Sequence, residues 1–90
     1  MIDSIKLEPG ITGKNLVKIV FTPQASNPAS QFSVEAVFEV QRVDTFLSDK
    51  DPIGAFLLSS TRTDTREKYK LTEPQRDLLV AAALEKVADN

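Results

Sequence analysis

Hydrophobic and polar residues alternate along most of this chain, and a helical period replaces the alternation near its end. Residues 31–43 carry the clearest pattern. Phe32, Val34, Ala36, Phe38 and Val40 fall on one face, and Ser33, Glu35, Val37, Glu39, Gln41 and Val43 on the other. Such alternation predicts a strand with one buried and one largely solvated face, as in an antiparallel sheet. At about 3.3 Å per residue the segment would run beyond about 40 Å, so a bulge or bend is expected within it.

Other stretches follow the same period. Residues 16–22 read as a strand with Val17, Ile19 and Phe21 on one face, ended by Pro23. Residues 53–61 read as another, with a possible extension through Thr63, and residues 2–7 as a short, weaker one. Residues 66–71 fit an edge strand or a connection. Turn chemistry at 8–10 and 13–15, built on Pro9, Gly10 and Gly13, separates the first two strands. Residues 24–30 have loop composition, and residues 44–51 form a loop with room for a helical turn at 45–47.

The closing segment predicts a helix. Thr72 can N-cap it, Gln75 completes a capping box three residues on, and Pro74 is tolerated in the first turn. Glu73 and Asp77 suit the positive end of the helix dipole, and Lys86 the negative end. Leu79, Val80, Ala83, Leu84 and Val87 form one apolar stripe at 100° per residue, with Leu78, Ala81 and Ala82 off it. The expected fold is α+β: an antiparallel sheet of three to four strands followed by one C-terminal amphipathic helix packed on one face. Its core is drawn from Val17, Ile19, Phe21, Phe32, Val34, Phe38, Val40, Leu79, Val80, Leu84 and Val87.

Length narrows this picture to a single domain over residues 1–90. A chain of this size buries only about 60–65% of its unfolded surface and usually needs a disulfide, a metal or association with another chain. The composition holds Cys 0 and His 0, which excludes disulfides and cysteine- or histidine-based metal and thiol chemistry. No cofactor or metal is expected, and association remains. The net charge of -2 is divided evenly: residues 1–45 carry 4 basic and 5 acidic side chains, residues 46–90 carry 7 and 8. Nothing in that balance attracts nucleic acid or an anionic membrane over the whole molecule. No apolar run approaches the roughly 18 residues of a membrane span, and the first residues do not resemble a signal peptide. A cytoplasmic protein is the simplest expectation.

Candidate chemistry is sparse. Glu35 and Glu39 share a strand face but stand about 13 Å apart, beyond the roughly 5–9.5 Å of paired-carboxylate hydrolases. Serines would lack a histidine base, and Gly10-x-x-Gly13-Lys14 is too short for a phosphate loop. Residues 49–54 begin like a calcium loop, but Ile53 and Ser60 stand where oxygen and bidentate ligands belong. An enzyme is not expected. Two surfaces remain. Apolar side chains beyond what one helix can cover, represented by Val37, Val43, Leu78 and Ala82, suggest a protein interface, with a homodimer or a larger partner as occupant. The outer sheet face would also carry either Phe56 with Leu58 or Ile53 with Leu57. The alternative is a nucleic-acid contact through Arg62, Arg66, Lys68, Tyr69 and Lys70, although Asp64 and Glu67 dilute that patch to +2.

Overall fold

A computed structural model describes residues 2–9, 14–23, 31–42 and 52–88. Four strands, β1 (Ile2–Pro9), β2 (Lys14–Phe21), β3 (Val34–Arg42) and β4 (Pro52–Arg62), precede one helix, α1 (Glu73–Ala88). The strands form a single antiparallel sheet in the order β1-β2-β3-β4, so every neighbour in space is a neighbour in sequence. This is the α+β arrangement that the alternation followed by a helical period implies.

Period-2 patterning decides which face meets the helix. Ile5 lies opposite Ile19 and Leu7 opposite Val17. Val17 lies opposite Phe38, and Ile19 opposite Ala36. Together with Phe21, Val34 and Val40 these positions make one buried layer, closed by Leu79, Ala83 and Val87 of α1. Helix spacing of four residues sets those three side chains on one line. Phe32, Val80 and Leu84 pack against this cluster but stay partly exposed, whereas Ala36 and Ala83 are fully buried. The core is therefore narrower than the apolar stripes suggest, and small residues occupy part of its centre.

The strand limits differ from the expected ones. Lys14 and Asn15 already pair in β2, opposite Gln41 and Val40. The long third segment begins pairing only at Val34, and the accommodation expected within it falls mainly on its partner. Val37 faces Ser59 while Phe38 faces Leu57, so β4 carries the extra residue, Leu58. A second shift between Gln41 and Arg42 inserts Ile53, and a third inserts Asp3 into β1. Asp3 is used locally, where its carboxylate accepts a 2.7 Å bond from the Thr22 hydroxyl. Of the turns expected at 8–10 and 13–15, residues 8, 9, 14 and 15 instead extend β1 and β2 as a paired ladder, and residues 10–13 lie outside the described residues. The loop at 24–30 and the segment 44–51 with its helical turn also lie outside them, as does Val43.

The capping box forms as its residues imply. Gln75 N–H donates to Thr72 Oγ1 at 3.3 Å, and Thr72 N–H donates to Gln75 Oε1 at 3.0 Å. Two of the helix's unpaired N-terminal donors are thereby satisfied reciprocally. No helix among the described residues is long and apolar enough to cross a membrane.

Candidate interaction surface

α1 packs on one face of the sheet, and no described element packs on the other. Alternation sends Leu16, Lys18 and Val20 of β2, and Glu35, Val37, Glu39 and Gln41 of β3, to that outer face. Its chemistry changes across the sheet. On the β1–β2 side it is charged: Lys18 Nζ lies 3.1 Å from Glu8, and Lys14 Nζ lies 3.9 Å from Glu39. On the β4 side it is apolar, with Phe56 55% and Leu58 54% exposed.

The bulge creates that apolar end. Leu57 packs toward the core and Ser60 is buried, so the two residues between them, Leu58 and Ser59, both face out. Without the extra residue, strict alternation from Leu57 could not return Ser60 to the inner face. Phe56 lies across Gly54, where a Cβ would sit 3.3 Å from the ring's Cζ. An aromatic ring over a strand glycine shields backbone that glycine leaves bare.

β4 is also an edge strand, and among the described residues only its end is paired on the open side. Arg62 N–H donates to Glu67 C=O at 2.8 Å and Tyr69 N–H to Ser60 C=O at 2.8 Å, around a bridge between Thr61 and Lys68. The chain then leaves β4 for the helix. It leaves an open groove of about 450 Å³ lined by residues 57–61 and 68–70. From Pro52 to Ser59 no described segment pairs with the outer edge.

The residues singled out from sequence do not form one patch. Val37 lies half-buried on the outer sheet face, while Leu78 is 48% exposed on the helix, on the other side of the sheet. Ala82 packs partly against the core and borders a small groove with Ile5, Glu85 and Lys86. Phe56 and Leu58, one of the two outer-face pairings that the alternation allows, are the residues that join Val37. Their parity relative to β3 depends on the bulge, which no local pattern marks.

The basic stretch is divided between structure and solvent. Arg62 donates to Asp64 through Nε at 3.1 Å and Nη2 at 2.8 Å, and its guanidinium lies 4.1 Å over the Phe32 ring. Bonding to Arg62 holds the Asp64 carboxyl below the usual carboxylate range, and the same bond raises the Arg62 pKa. The Tyr69 ring meets Phe32 and Phe21 edge-on at 5.7 and 6.3 Å. Arg66, Lys68 and Lys70 remain exposed. Arg66 sits at φ 64°, the left-handed residue of the tight return from β4.

No family model, curated protein or solved structure matches this chain. The site must therefore be judged on its own geometry. Among the described residues, no group of three His, Cys, Asp or Glu side chains is placed to hold a metal ion. What the surface offers is apolar area beside a stretch of β4 backbone that no described segment pairs.

Proposed function

We propose that this chain is a non-enzymatic protein-interaction module that works as a homo-oligomer, through the apolar side of its outer sheet face. One observation carries the reading: among the described residues the sheet is covered by a helix on one face only, and the other ends in the half-exposed Phe56 and Leu58 beside Val37. Single exposed apolar residues are ordinary, but neighbouring large ones at a sheet edge mark contact surfaces. Size supports the same reading, because a 90-residue chain with Cys 0 and His 0 has association as its remaining means of added stability. The nucleic-acid alternative is weaker, since Tyr69 is engaged by two phenylalanines and Arg62 by Asp64 and Phe32.

The test is the solution mass by light scattering over a concentration series at two salt levels. A dimer or larger species that persists at high salt is expected, because apolar contacts are not screened. Leu58→Lys, on the exposed apolar end of the outer face, should weaken it while the far-ultraviolet circular dichroism spectrum is retained. A monomer at every concentration counts against homo-oligomerisation, and binding of labelled single-stranded DNA that falls steeply with salt would favour the alternative.

A further inference from the structure

Resting on that reading, we infer that the oligomer is a two-fold dimer in which β4 of one copy pairs antiparallel with β4 of a second copy, centred on Phe56. Three observations lead there. First, the part of the β4 edge that no described segment pairs has defined ends. Pro52 has no N–H to donate, and the Ser60 carbonyl is already bonded to Tyr69. The open stretch is thus residues 53–59, and its midpoint is Phe56.

Second, this edge is compatible with itself. A two-fold contact sets each residue near its own counterpart, so a charge close to the axis meets a like charge. From Pro52 to Thr61 the sequence contains no charged residue, whereas β1, the opposite edge, carries Asp3, Lys6 and Glu8. Natural edge strands usually carry charges that prevent such pairing, and their lack in β4 everywhere but at its last residue, Arg62, leaves the strand open to it. A partner of different sequence would be selected by charge or by side-chain pockets, and this edge provides no charge to read.

Third, the register about Phe56 matches side-chain sizes. Positions that sum to twice 56 face each other, so Gly54 meets Leu58 of the second copy on the outer face, and Phe56 meets Phe56. Gly54 has no side chain to oppose the outward-facing Leu58, which then packs on the Phe56 ring that overlies the glycine. The result is one continuous eight-stranded sheet, paired over about 23 Å at the junction. Its outer face carries an apolar strip, Leu58 and Phe56 from each copy, across the two-fold axis. Backbone hydrogen bonds supply the affinity and the side-chain fit supplies the register.

The absence of native cysteine makes the test clean. Directly opposed residues in an antiparallel pair have Cα atoms about 4.5–5.5 Å apart, within the range a disulfide spans. Under mild oxidation Phe56→Cys should give a disulfide-linked dimer, and Val37→Cys, one strand in from the edge, should remain unlinked. Phe56→Lys opposes two ammonium groups at the axis and should weaken association at least tenfold, with its circular dichroism spectrum unchanged. If the wild-type chain is a dimer but Phe56→Cys stays unlinked, or Phe56→Lys dimerises normally, the edge pairing is wrong while the homo-oligomer reading stands. A wild-type monomer at every concentration overturns both.

Discussion

The Tyr69 hydroxyl and the Gln75 side-chain amide face each other across the start of the helix, with Oη 3.3 Å from Oε1 and 3.2 Å from Nε2. The same Gln75 closes the capping box with Thr72. One side chain thereby caps α1 and ties it to the segment that pairs with β4. Tyr69 in turn packs edge-on against Phe21 and Phe32, so the helix start is anchored to the end of the sheet.

Gln75→Ala removes both functions. It leaves the Thr72 N–H without this partner and the Tyr69 hydroxyl without its amide, and a cost of about 1–2 kcal/mol is expected. Tyr69→Phe keeps the ring and should cost about 1 kcal/mol or less. Urea unfolding of both variants checks the order, and equal losses would mean that the cap contributes nothing beyond the hydroxyl contact.

Ser60 makes the opposite case. Its Oγ is buried on the inner face with no hydrogen-bond partner among the described residues. A hydroxyl withdrawn from water without a partner destabilises, so Ser60→Ala should be neutral or more stable by about 1 kcal/mol. Thermal unfolding measures this; a clear loss of stability would show that the hydroxyl has a partner in solution.

The Arg62–Asp64 pair predicts a pH dependence. Asp64 is depressed below its ordinary 3.8, mainly by the Arg62 hydrogen bond, so the folded chain binds that proton less tightly than the unfolded chain. The stabilisation is therefore full above pH 3.8 and is lost as the pH falls through the lower folded value. Wild type should exceed Asp64→Asn in thermal midpoint at pH 7, and the gap should close in acid. Because the pair is at the surface, added salt should shrink the gap as well.

Arg66 holds a left-handed backbone at φ 64° that glycine adopts without strain. Arg66→Gly should raise stability by up to about 1 kcal/mol, whereas the β-branched Arg66→Val should lower it by at least as much. Denaturant midpoints of the two variants should therefore move in opposite directions.

Much of the fold was legible because period and burial coincide. The strict alternation in β3 and the four-residue spacing of Leu79, Ala83 and Val87 each bury one side, and no tertiary information is needed to see which. The capping box was equally plain, since Thr72 and Gln75 act within one turn. The candidate surface was harder to read. Val37 and Leu78 both look like surplus apolar surface in the sequence, yet the sheet separates them, because a strand residue and a helix residue share a patch only when packing brings their faces together.

Sequence alone determined the order of strands before helix, the inner face of β2 and β3, the helix stripe and the lack of cysteine and histidine chemistry, because these depend on residue type and local period. Tertiary structure decided what interrupts that period. Leu58 and Ser59 both face out and Ser60 returns to the core only because β4 carries one residue more than β3 at that point. Among the described residues, β4 keeps an open edge because the chain pairs at Ser60–Arg62 and then departs to cap the helix. Register shifts and the choice of an edge strand arise from how whole strands fit one another, and no single stretch of residues encodes that fit.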